Sequence, residues 1–227
     1  MTSSQADVER LSVAVNDGIA VSGLLEVPPN PLACFVVAHG AGAGMTHPFM
    51  AGLASGLGTR NIATLRYQFP YMDRGGKRPD PPALAQATVR AAVLEARKRL
   101  PHCPLFAGGK SFGGRMTSQT QAEAPLEGVR GLVFFGFPLH PAGEPSTERA
   151  AHLKNIAIPM LFLQGTNDAL ADVARMRRTV ASLGRRATLK LIAEADHSFH
   201  VPKRSGRSND EAIGEVLDFT AGWMLKT

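Results

Sequence analysis

The chain has 227 residues, 44% of them hydrophobic and 19% charged, a balance that suits one globular domain with a substantial core and excludes a disordered or fibrous chain. Lys and Arg number 25 against 19 Asp and Glu, for a formal charge of +6 and a pI of about 9.7, so anionic partners stay open while the charges are too dispersed to form a nucleic-acid motif. No apolar run reaches membrane-spanning length, and Met1 to Arg10 lack a basic-then-apolar leader.

In chain order, Leu11 to Val15 and Ile19 to Val27 alternate like antiparallel strands joined at Asn16-Asp17-Gly18. Pro28 to Pro31 breaks the chain before Ala33-Cys34-Phe35-Val36-Val37-Ala38, a continuous apolar run of the kind found in buried parallel strands. That run empties into His39-Gly40-Ala41-Gly42-Ala43-Gly44-Met45, and a helix is expected from Pro48 to Leu57. Ile62 to Arg66 reads as a strand, Tyr67 to Pro82 as a long loop, and Ala83 to Leu100 as an amphipathic helix. Cys34 and Cys103 lie far apart in sequence, and two such cysteines point to reduced thiols and a cytoplasmic setting.

Leu105-Phe106-Ala107 precedes Gly109-Lys110-Ser111-Phe112-Gly113, and Gly113 to Ala122 carries a helical pattern. Strand, G-x-S-x-G and helix in succession are the context of a nucleophile elbow, which exposes one serine at a sharp turn. Ser111 is that serine. Val129 to Phe135 is a further strand, and Phe137 to Ala157 is a short, proline-containing, cap-like segment with one helix expected near Thr147 to Lys154. Ile158 to Gln164 is the next apolar strand, and Gly165-Thr166-Asn167-Asp168 lies at its carboxyl end. A helix is expected from Ala169 to Leu183, a strand from Thr188 to Ile192, and a final helix from Asp210 to Met224.

A serine hydroxyl needs a base to take its proton and a carboxylate to fix the base's tautomer. Asp168 is the candidate acid, with helix capping as its rival role; Asp172 is the alternative but falls inside the expected helix. His197, in Ala195-Asp196-His197-Ser198-Phe199, is the candidate base, with His200 as backup. His39 and His47 are disfavoured because they precede the serine in the chain. The oxyanion formed during acyl transfer requires backbone donors, expected from the N–H groups of Ala41 and Phe112. The histidines lack H-E-x-x-H spacing and Cys34 and Cys103 are far apart, so no zinc site is expected, and a serine mechanism needs no metal or organic cofactor.

Together these motifs resemble the α/β-hydrolases, along nearly the whole chain. The resemblance is greatest to lid-poor members such as dienelactone-hydrolase-like and testis-expressed hydrolase-like proteins, where His-Gly-Ala-Gly loops and Gly-x-Ser-Phe-Gly-Gly-Arg elbows also occur. Dienelactone hydrolases typically carry a cysteine where this elbow has Ser111. The resemblance implies an α/β fold, mostly a parallel sheet with helices on both faces and an antiparallel N-terminal hairpin, in one domain over residues 1–227 with a cap-like segment at about 137–157. It also implies a serine hydrolase cleaving a carboxylic ester or thioester through an acyl-enzyme. A non-catalytic interaction module in a larger assembly and an acyltransferase using the same triad remain open. Tyr67, Phe112, Phe137 and Leu139 are either pocket lining or core. Two basic groups, Arg74, Lys77 and Arg78, and Lys203, Arg204 and Arg207, either rim the pocket for an anionic substrate or form solvated loops.

Overall fold

The computed structural model describes residues 8–227. Its centre is an eight-stranded sheet in the order β1-β2-β4-β3-β5-β6-β7-β8. The hairpin β1 (Val8–Asn16) and β2 (Ile19–Glu26) turns at Gly18, whose φ of 86° is accessible to glycine without a Cβ penalty. β2 pairs antiparallel with β4 (Ile62–Tyr67). β4, β3 (Ala33–Ala38), β5 (Leu105–Lys110), β6 (Val129–Phe135), β7 (Met160–Gly165) and β8 (Ala187–Ile192) are mutually parallel. Their carboxyl ends therefore share one edge.

The apolar runs read as strands because both sheet faces are covered. Side chains alternate between faces with a period of two. Cys34, Val36, Ala38, Leu105, Ala107, Leu132, Phe134, Met160 and Phe162 pack toward α3 (Pro82–Arg99), α4 (Phe112–Glu123) and α5 (Val173–Ser182). Phe35, Val37, Phe106, Val133, Phe135, Leu161 and Leu163 pack toward α1 (Pro48–Gly58) and α6 (Asn209–Met224). Burying such side chains contributes about 1.5–3 kcal/mol each before chain entropy is set against it.

Four sequence expectations are revised. β5 continues past the apolar run Leu105-Phe106-Ala107 through Gly108 and Gly109. A Cβ at Gly108 would stand 1.8 Å from the Val133 oxygen, and one at Gly109 2.4 Å from the Ala38 oxygen, so glycine is what lets these strands close together. The helix expected from Ala169 begins only at Val173. The Asp168 carboxylate accepts from Leu170 N at 2.8 Å and holds a turn, while Asp172 caps α5 by accepting from Arg175 N at 2.8 Å. The long loop contains a four-residue helix, α2 (Pro70–Asp73), and is packed down, with Phe69, Pro70, Tyr71 and Asp80 buried. The helix of the cap-like segment is a 3₁₀ helix over Glu148–Asn155, against α4. Among the described residues, no helix is long and apolar enough to cross a membrane.

Candidate active site

Ser111 joins β5 directly to α4 with φ 51° and ψ −113°. A non-glycine residue in that region carries about 1–3 kcal/mol of backbone strain, which surrounding structure must hold in place. Three features hold it. Ser111 N donates to Phe135 O at 3.0 Å and Arg115 N donates to Ser111 O at 3.0 Å. A Cβ at Gly113 would lie 2.5 Å from His39 O and 2.6 Å from Ala38 O, so the elbow closes only against bare backbone. α4 begins immediately at Phe112, leaving the N–H groups of its first turn without partners along the helix.

The loops after β7 and β8 are stitched to each other. Thr166 N donates to Ile192 O at 3.0 Å, Asn167 N to Ala195 O at 2.9 Å, and Glu194 N to Thr166 Oγ1 at 2.7 Å. Their close approach depends on Gly165, where a Cβ would sit 2.2 Å from Ala195 O. Asp196 builds the second loop, its Oδ1 accepting from Ser198 N at 2.7 Å and His200 N at 2.9 Å. This brings His197 and Asp168 together: His197 Nδ1 donates to Asp168 Oδ2 at 2.7 Å. The same oxygen accepts from Gln164 Nε2, and Oδ1 accepts from Leu170 N. With Nδ1 as donor, Nε2 is left as the acceptor nitrogen. His140 pins the acid loop from below, donating from Nδ1 to Pro141 O at 2.7 Å and accepting from Asp172 N at 3.0 Å.

The glycine loop after β3 is equally well held. Phe69 N donates to His39 Nε2 at 3.2 Å, so His39 carries its proton on Nδ1 and donates to Gly40 O at 2.7 Å. Burial holds the His39 pKa below its ordinary value, keeping the neutral form that both bonds require. Gly42 N donates to the Tyr71 hydroxyl at 2.9 Å, and Met45 N to Gln68 Oε1 at 2.9 Å. Among the described residues, Ala41 N has no acceptor in the protein. Buried Arg66, paired with Glu26, donates to Met45 O at 3.1 Å and ties the end of this loop to the sheet.

A cavity of about 540 Å³ opens over Ser111 and is lined by Gly40, Ala41, Phe49, Lys110 and His197 among others. Ala41, Ser111 and His197 thus share one cavity, whereas Asp168 lies behind His197, 6% exposed. His47 and His200 also border it, but His47 Nδ1 is engaged in accepting from Phe49 N at 3.2 Å. His200 stands 66% exposed, 3.7 Å from Asp196.

Of the two roles left open for Tyr67, Phe112, Phe137 and Leu139, pocket lining or core, the structure shows packing away from the cavity. Tyr67, Phe137 and Leu139 are core, and Phe112 packs edge-on to Phe69 with ring centroids 5.3 Å apart. The cavity opens on the α1 and α6 side of the sheet, away from the side chains of all four. None of the six basic loop residues lines it either: Arg74 pairs with Asp80 at 2.7 Å and Arg207 with Glu215 at 2.6 Å. The cation that does line it is Lys110. The motif alone gives it no role, because it occupies the variable position of the elbow, although its place immediately before Ser111 is a signal in the sequence. Gln164 was likewise hidden, as one polar residue ending an apolar run. Among the described residues, no group of three or more His, Cys, Asp or Glu side chains is arranged to hold a metal ion.

The model of the alpha/beta hydrolase domain family matches residues 31–225. The chain belongs to that family. Membership supports a hydrolase activity. Solved structures share the fold. A dienelactone hydrolase from Anabaena variabilis is 22% identical, with a TM-score of 0.78 and 98% of each chain covered. A serine hydrolase without a lid from Xanthomonas campestris is 19% identical, with a TM-score of 0.73 over 94% of this chain and 93% of that one. Est1E from Butyrivibrio proteoclasticus with ferulic acid bound is 15% identical, with a TM-score of 0.75 over 95% and 98%.

Proposed function

We propose that this hydrolase cleaves carboxylic esters or thioesters through an acyl-enzyme on Ser111. The observation that carries the reading is the strained backbone of Ser111 at the junction of β5 and α4, facing the cavity that His197 also lines. His197 takes the serine proton at Nε2, while Asp168 keeps Nδ1 protonated and stabilises the imidazolium as it forms. The N–H groups of Phe112 and Ala41 receive the oxyanion. The imidazolium then protonates the leaving alcohol or thiol, and the same histidine activates the water that releases the acid. No cofactor enters these steps. Of the expected domain over 1–227, whose first seven positions lie outside the described residues, 8–227 act as one unit with about 137–157 as a reduced cap, and the two free cysteines fit a cytoplasmic setting.

Short-chain p-nitrophenyl esters and the corresponding thioesters test the reading. Ser111→Ala and His197→Ala are each expected to lower kcat by about 10⁴-fold or more while leaving the melting temperature near that of the unmodified protein. Unchanged turnover in Ser111→Ala would contradict the mechanism, and failure of the unmodified protein to turn over any ester or thioester would favour a binding role for the fold.

A further inference from the structure

Lys110 ends β5 immediately before Ser111, and its amine crosses the site to donate a hydrogen bond to the backbone oxygen of His197. Lysine so close to the reacting centre is costly, because burial disfavours the ammonium; its pKa is brought down to about 8, with Asp168 and Asp196 partly offsetting the desolvation. Among the described residues no carboxylate lies within ion-pair distance of it. Two aromatic faces take that place. Nζ lies 5.5 Å from the ring centre of Phe199 and 5.8 Å from that of Phe49, within the range of a cation–π contact.

The space for this crossing comes from Gly136, which follows β6. A Cβ there would lie 2.8 Å from Lys110 Nζ and 3.2 Å from both Cε1 and Nδ1 of His197, so amine and imidazole occupy the room left by one missing methyl. We propose that Lys110 is a positioning residue: a strut running from the nucleophile's strand to the main chain of the base, fixing His197 relative to Ser111. The proposal rests on the assignment of Ser111 and His197 made above. The loop bearing His197 is tied to the acid loop by several bonds, and Lys110 supplies a direct tie from that loop to the strand carrying the serine. Proton transfer between the two side chains is sensitive to misplacement on the ångström scale, which gives the tie a catalytic consequence.

Lys110→Met keeps the length and apolar stem of the side chain but removes the donor and the charge. Its expected effects separate turnover from stability. With p-nitrophenyl acetate, kcat falls by about 100-fold while KM stays within about threefold; the melting temperature is unchanged or higher, because a poorly solvated ammonium has been removed. Lys110→Cys, equally slow, is expected to recover most of its rate on alkylation with bromoethylamine, which rebuilds a side chain of lysine's length ending in an amine. Unmodified protein treated identically controls for reaction at Cys34 and Cys103. Unchanged kcat in Lys110→Met overturns the inference. A rise confined to KM also overturns it, since Lys110 would then contact the substrate, and so does absence of rescue in Lys110→Cys. Ser111→Ala, run alongside, separates the two claims: if it retains the unmodified protein's rate, the serine mechanism itself falls, whatever Lys110 does.

Discussion

At the scale of single residues, the site depends on where side chains are absent as much as on where they are present. Gly136 has φ 62°, and its missing Cβ leaves room for both Lys110 Nζ and the His197 ring. Gly136→Ala is therefore expected to cost about 1–2 kcal/mol of backbone energy. The larger effect is on turnover, a drop in kcat/KM of about 100-fold as the imidazole is displaced. Ester kinetics beside a urea melt check this, and a variant losing stability but no turnover would show that His197 tolerates the shift. Ser111, Asp168 and His197 were readable in the sequence because each sits in a short motif at a strand's carboxyl end. Lys110 was not, because nothing local shows that its amine reaches the base across 87 positions of sequence.

At the scale of elements, apolar runs such as Ala33–Ala38 and Met160–Gly165 were legible because both faces of those strands are buried, leaving few polar interruptions. Starts and stops were less legible. Asp168 also reads as a helix cap, while the actual cap, Asp172, falls inside the expected helix, and only the tertiary contact with His197 decides that Asp168 belongs to the site. α6 begins with a reciprocal cap: Ser208 Oγ accepts from Glu211 N at 3.1 Å, and Glu211 Oε2 accepts from Ser208 N at 2.7 Å. Asn209, Asp210 and Ile213 in its first turns border the cavity. Ser208→Ala is expected to lower the unfolding free energy by about 1 kcal/mol, visible as a shift in the urea midpoint. An unshifted midpoint would mean that packing of α6 on the sheet holds its first turn without the cap.

For the whole molecule, the parallel strands bring four distant loops to one edge, and the side of the sheet on which the cavity opens follows from the packing of α1 and α6. That choice is tertiary, which is why aromatic residues of the opposite side were plausible lining candidates in sequence. The opposite side holds a Ser-His hydrogen bond, Ser118 Oγ to His152 Nε2 at 2.7 Å. Ser118 gives its own hydrogen to Arg115 O at 2.9 Å, so His152 is the donor and the pair is structural. Burial, and secondarily the Arg115 guanidinium, hold the His152 pKa down to about 4, against an ordinary 6.5. Between those values the unfolded chain takes up a proton that the folded chain refuses, so this histidine makes stability fall as pH drops from 6.5 toward 4. His152→Gln keeps a donor but does not titrate. Its urea midpoint relative to the unmodified protein should therefore improve on going from neutral pH toward the acid end of that window. An equal offset throughout would contradict the neutral, buried state assigned to His152.

The central claim is that Ser111 is an activated nucleophile, and labelling with a fluorophosphonate probe tests it without knowledge of the natural substrate. The account predicts covalent labelling of the unmodified protein, located at Ser111 by mass spectrometry of its peptides, and none in a folded Ser111→Ala variant. Absence of labelling in correctly folded protein, or labelling that survives in Ser111→Ala, would contradict it.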